Sequence, residues 1–193
     1  MKHFLSTLVC IIGLSAGCIL PAHAAPETYT LDHSHSYVLW RISHFGFSSP
    51  AGKWFADGTL TLDKNKPQNS KVNVIINVAD MDTGLPKLDE HLKSKDFFDT
   101  ATFHEATFVS NKIEVTGKNT AKVYGVLTLH GVSKPLMLNV KMNKVGENPI
   151  SHKMTAGFSA VTSLKRSDFG ITTYLPGLGN QVDIHIEVEA FKD

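Results

Sequence analysis

Three imidazoles fall close together near the start of this chain: His33, His35 and His44 lie within "LDHSHSYVLWRISHFG". Histidines two apart on a strand point the same way and can grip one metal ion, and His33 and His35 have that spacing. On a straight strand His44 has the other parity and shares a face with Val38, Trp40 and Ile42. A third ligand would need a bend at His44 or a distant imidazole such as His130. No carboxylate lies between Asp32 and Asp57 to complete the set. His33 and His35 also suit a hydrogen-bonded strand entry beside Asp32 and Ser34. His44 reads in two ways: a polar contact for a ligand head group at the end of a lumen, or a core histidine bonded to a backbone carbonyl.

Other constellations are thinner. "LDEH", Leu88 to His91, puts carboxylates and an imidazole on one short segment but lacks the second histidine of a zinc-peptidase helix. No G-x-S-x-G elbow and no phosphate-cradling glycine loop occurs. In "KRSDFGI", Arg166 and Asp168 share parity. They can pair with each other, or Arg166 can meet an anionic head group.

The two ends of the chain differ in character. Lys2 and His3 precede the apolar run "FLSTLVCIIGLSAGCIL", and "AHA" follows, with Ala22 and Ala24 at the positions a signal peptidase reads. The expectation is a secretory leader over residues 1–24, cut after Ala24, and one domain over residues 25–193. A rival is lipidation at Cys18, although Ser15 stands where such a signal wants a large aliphatic residue. Both cysteines, Cys10 and Cys18, fall in the leader, so the domain has neither a disulfide nor a catalytic thiol. With Lys2 removed, the 19 basic residues come level with the 18 acidic ones. That balance argues against nucleic acid and against electrostatic attachment to anionic lipid heads.

The elements that must position these residues show a period of two. Alternation runs through "SYVLWRI", "GTLTLD", "KVNVIINV", "KVYGVLTL", "LMLNVKM", "MTAGFSAVTSL" and "QVDIHIEVEA". Turn signals separate these runs, and the close spacing makes neighbours antiparallel. "DTGLPKLDEHLKSKDFFD" departs from the pattern, with Leu85, Leu88 and Leu92 at helical spacing. It predicts one helix over Pro86–Lys95, capped by Asp82 or Thr83. About eight such strands form a sandwich or close into a barrel, and closure removes the edges of a chain without a covalent brace. A barrel of that size either fills with side chains or keeps room for one small ligand. Gly125 and Gly157 mark an open lumen or else bulges.

An ordered set of motifs resembles the YceI-like family: "YTLDHSHSYVLWRISHFG", "GKWFADGTLTLD", "LDEHLKSKDFFDTATFHEATF", "VYGVLTLHGVSKPLML", "RSDFGI" and "VDIHIEVEAF". Three positions depart from the family pattern. Leu88 stands where an Arg is usual, His104 replaces a Pro, and Asn180 replaces an acidic residue. The first removes a positive charge that relatives can offer to a head group.

The resemblance implies an all-β protein with one short helix: an antiparallel lipocalin-like β-barrel whose helix covers one end. It also implies a periplasmic, non-catalytic protein that binds an isoprenoid or fatty lipid in an apolar tunnel, for transport or sequestration. No cofactor or metal is expected. The partner is a hydrophobic small-molecule lipid, without nucleic acid or stable membrane insertion, and a homodimer stays open. Expected wall residues are Val38, Trp40, Ile42, Val74, Ile76, Leu127, Leu129, Phe158 and Ile184. Nearer the polar end or lid stand His44, Leu92, Phe97, Phe98, Arg166 and Asp168. Two alternatives remain: a metal-dependent enzyme using His33 and His35, and a filled barrel serving a stress or redox partner.

Overall fold

The computed structural model describes residues 25–193. The expected leader, its cut and the lipid site at Cys18 lie outside the described residues.

Ten strands make one antiparallel sheet. They are β1 (Glu27–Leu31), β2 (Tyr37–His44), β3 (Ala51–Phe55), β4 (Asp57–Leu62), β5 (Lys71–Asn77), β6 (Glu105–Gly117), β7 (Thr120–Leu129), β8 (Val132–Glu147), β9 (Met154–Lys165) and β10 (Leu178–Lys192). Neighbours run β1–β4–β5–β6–β7–β8–β9–β10, and β10 pairs back onto β1. The ring is therefore closed, with eight strands around it. β2 and β3 continue the lines of β1 and β4. A 3₁₀ turn at His33–His35 separates β1 from β2, and β10 pairs with both. The buried Ala56 separates β3 from β4. The barrel form resolves the choice between sandwich and closure.

Three structural details fix the shape. In the β7–β8 hairpin, Leu129 pairs with Val132 across His130 (φ 50°) and Gly131 (φ 72°). Two consecutive positive φ values match the right-handed twist of the strands they join. The register of β6 against β7 shifts between Ser110 and Lys112, and that of β8 against β9 between Met142 and Lys144. These bulges lie opposite Gly125 and Gly157, the two glycines with an ambiguous sequence reading.

The helix α1 spans Pro86–Lys93, two residues shorter than expected, and Leu85 occupies its N-cap without a side-chain bond. Asp82 and Thr83 instead shape the approach. The Gly84 amide donates to Asp82 Oδ1 at 2.8 Å, and the Thr83 amide and hydroxyl both donate to Asp89 Oδ1. Leu92, 7% exposed, drops from α1 into a cluster with Trp40, Ile42, Trp54, Val78, Met81, Phe97 and Ile171. Trp54 Nε1 donates to the Val78 carbonyl at 3.0 Å and Phe98 meets its ring edge-on. These aromatic and aliphatic groups plug one pole of the barrel. Two further clusters pack along the wall, around Tyr29, Leu31 and Leu60 on one side and Phe108, Val123 and Leu138 on the other.

Candidate ligand cavity

Beyond the plug the inward side chains do not meet. They leave a cavity of about 520 Å³, within the range of small-molecule sites. Its deep wall is Val38, Ile76, Ala106, Leu127, Thr162 and Ile184; Val74, Phe108, Leu138, Phe158 and Ala160 surround its middle. It reaches solvent among Lys64 and Pro67 after β4, Lys118 to Thr120 in the β6–β7 turn, and Met142 and Val145 of β8.

The two bulges help form this lining. Before its bulge β6 sends Ala106 and Phe108 inward; after it, Ile113 and Val115. The extra residue changes inward parity from even to odd. Ser110, at the break, accepts the Val72 amide at 2.9 Å with its hydroxyl. β8 behaves likewise: Leu136, Leu138, Val140 and Met142 face in, then Val145. Gly125 lies inward between Val123 and Leu127, and the Phe108 ring occupies the space its side chain would take.

The polar groups around the mouth are mostly engaged with the protein. Asp63 accepts from the Lys66 and Asn65 amides and from Asn69 Nδ2; the Lys66 bond does most to hold its carboxyl below the usual range. Lys64 Nζ sits 2.7 Å from Glu27 Oε2, and Lys192 Nζ 2.8 Å from Oε1. The bonds from Lys192, Lys64 and Tyr29 lower the Glu27 carboxyl to about 2. Deep in the cavity, Thr162 donates its hydroxyl to the Met137 carbonyl. The interior thus offers a guest mainly hydrocarbon.

The expected site residues divide by height along the barrel. Val38, Val74, Ile76, Leu127, Phe158 and Ile184 line the cavity. Trp40, Ile42, Leu92 and Phe97 lie in the plug, with Phe98 and Leu129 packed against it. His44 is exposed beyond the last inward position of β2, its ring edge-on to Phe45 at 4.7 Å. Neither of its sequence readings, lumen contact or core imidazole, matches that place. Arg166 is 5% exposed at the plugged pole, and burial pushes its guanidinium down. It donates to the carbonyls of Gly179, Ile171, Thr173 and Leu178 at 2.8–3.1 Å. Those bonds hold the loop after β9; Asp168, close by in sequence, is exposed. Residues outside the expected set also line the cavity, among them Phe108, Ile113, Leu138, Val140 and Ile186. Alternation marked those of β8 and β10, whereas the bulge concealed those of β6.

The histidine pair takes another arrangement than the metal reading requires. His33 and His35 lie in a turn, not on a strand. His33 Nδ1 is 3.1 Å from Asp57 and His35 Nδ1 is 2.9 Å from Asp32. His130 Nδ1 bonds the Phe169 carbonyl from the β7–β8 hairpin. Among the described residues no group of three or more His, Cys, Asp or Glu side chains is placed to hold a metal ion. Nor does any described helix have the length and apolarity to cross a membrane.

Fold and cavity define a class: closed antiparallel barrels with an apolar hollow. Residues 29–190 match the YceI-like domain, and the chain belongs to that family. The UPF0312 protein of Pseudomonas fluorescens (strain SBW25) is 39% identical over 183 residues, covering 93% of this chain and 91% of that protein. The UPF0312 protein of Pseudomonas savastanoi pv. phaseolicola is 40% identical over 180 residues, covering 91% and 90%. Among solved structures, Burkholderia cenocepacia BcnA superposes with a TM-score of 0.75 at 25% identity, over 82% of this chain and 98% of its own. A polyisoprenoid binding domain from Saccharophagus degradans shares the fold, with a TM-score of 0.63 at 16% identity over 86% of this chain and 98% of its own.

Proposed function

We propose that this chain is a non-catalytic periplasmic protein that takes the apolar tail of an isoprenoid or other long-chain lipid into its barrel and carries or sequesters it. The observation that carries the reading is the hollow itself, a hydrocarbon-walled space of about 520 Å³ reaching solvent at a polar rim. A barrel serving only as an interaction module has no need of it.

Each methylene moved from water into such a wall gains ~0.8 kcal/mol. Ten buried carbons gain ~8 kcal/mol before the cost of association, which leaves useful affinity only for a well-fitting tail. Selectivity then rests on cavity length and the few groups at the mouth. The apolar leader with small residues at Ala22 and Ala24 supports export, and an aqueous compartment between membranes is where a lipid tail needs a carrier.

The test is native mass spectrometry of gently purified protein, followed by organic extraction. A co-purified long-chain lipid, or uptake of an added prenyl lipid, is expected; neither appearing would refute the proposal. Ala160→Phe places a ring in the cavity and should lower uptake about tenfold with the fold intact. Ala156 does not serve the same test, because it packs with Tyr29 and Leu31 at 0% exposure. Full uptake by a folded Ala160→Phe protein would move the ligand elsewhere.

A further inference from the structure

The plugged pole carries two adjoining loops with an unusual composition. Residues 42–52, around the β2–β3 hairpin, contain no Asp, Glu, Lys or Arg, and neither do residues 170–182, which run from the loop after β9 into the start of β10. Charged residues make up 19% of the whole chain, so two such stretches side by side leave an uncharged patch. On its far side Tyr174 packs against His91 and Phe97, where α1 and the turn after it carry the exposed Glu90, Lys95 and Asp96. The loops are tied together: the Phe45 amide donates to the Gly177 carbonyl at 3.0 Å, and the Phe45 ring lies over Gly177. The second loop is further fastened by the buried Arg166 through its carbonyl bonds. From this braced platform project Phe47, 92% exposed, Tyr174, 56%, and Phe45, 51%. Where the wall begins, Arg41 stands directly opposite Asp183 across β2 and β10, so opposite charges border the face.

We propose that this pole docks reversibly on the surface of a phospholipid bilayer, with Phe47 entering the interface. An interface accepts aromatic rings and penalises charge, and the uncharged β2–β3 hairpin tip that carries Phe45 and Phe47 meets both conditions. The absence of a basic patch further implies binding that needs no anionic lipid and resists salt. A second copy of the chain is less suited. A stable dimer wants a broad self-complementary surface, whereas this is a projecting hairpin tip, and the lipid-sized cavity is lined by residues outside these two loops. The inference does not rest on the cargo: the mouth is at the opposite pole, so vesicle binding and lipid uptake can fail separately.

The test is flotation of the purified protein with phosphatidylcholine vesicles, all variants sharing one N-terminus. Phe47→Glu should lower the bound fraction about tenfold. Ile150→Glu, altering an equally bare residue (90% exposed) in the β8–β9 connection, should leave it unchanged. Phe47→Trp should bind and show a blue-shifted emission component quenched by brominated lipid. No binding by the unaltered protein, equal loss from both glutamate variants, or self-association abolished by Phe47→Glu without vesicle binding would overturn the proposal.

Discussion

Gly125 and Gly157 both sit opposite a bulge, yet their surroundings predict opposite responses to one added carbon. A Cβ on Gly125 would lie 2.5 Å from Phe108 Cζ and 2.5 Å from the Val109 carbonyl oxygen. The oxygen belongs to the ladder, and Phe108, 7% exposed, is wedged in the wall, so neither yields cheaply. Overpacking of this kind costs ~1–3 kcal/mol. Reduced freedom of the unfolded chain returns ~0.4–1 kcal/mol. The net loss for Gly125→Ala is ~1–2 kcal/mol, or ~2–8 °C in Tm for a domain of this size. A Cβ on Gly157 meets nothing closer than the carbonyl oxygens of Lys144 and Val188 at 3.9 Å. Only the entropic effect then remains, so Gly157→Ala raises Tm by ~1–4 °C. Circular dichroism melts of the three proteins in one buffer decide it. Equal destabilisation, or a Gly125→Ala protein as stable as its parent, would refute the assignment of Phe108 to the space over Gly125.

Three further predictions concern the plug, the strand entry and the cavity. Arg166→Lys keeps the charge but loses the planar fork that reaches four carbonyls; it should cost ~2–4 kcal/mol, read as a lower urea midpoint with an unchanged slope. At the strand entry, the Asp32 bond raises the pKa of His35, and that contribution is complete below the ordinary imidazole value and fades as pH climbs through the raised one. Burial would raise the Asp32 pKa, but the bonds from His35 and the Ser34 amide win and lower it, so its contribution fades as pH falls through the lowered value. The stability difference between the parent and His35→Gln should therefore be largest near pH ~5 and shrink toward pH 8, measured by melts across pH. A difference that grows with alkalinity would contradict the pairing. Saturation with a bound prenyl lipid at ~100 times its Kd should add ~2.7 kcal/mol, or ~5–11 °C in Tm.

Facing was legible in the sequence, whereas height along the barrel was not. Period-two alternation identified β2, β4, β5, β7, β8, β9 and β10 because each holds one parity over most of its length. β6 escaped because its bulge turns the inward set from Ala106 and Phe108 to Ile113 and Val115. The same limitation separates the expected wall residues. Val38, Trp40 and Ile42 share a face, yet the first lines the cavity and the other two fill the plug. His44 keeps their parity, but the strand has by then run past the core. Arg166 was conspicuous without being interpretable: its partners are backbone carbonyls from residues 171–179, which leave no pattern in side-chain identity.

The two poles divide the energetics. Unfilled apolar volume costs up to ~24 cal/mol per Å³, so a dry hollow of about 520 Å³ would forgo ~12 kcal/mol at most. That is as large as the whole net stability of an ordinary domain, ~5–15 kcal/mol. The described residues contain no cysteine, so no disulfide among them offsets such a loss. The compensation has to come from dense packing elsewhere, and the plug supplies it: Trp40, Trp54, Met81, Leu92 and Phe97 are each at most 9% exposed. A guest tail lying against Val74, Leu138 and Phe158 would complete the core at the other end. Ligand affinity and fold stability are then two measures of the same contacts, and a substitution that fills the hollow with protein should exchange the first for the second.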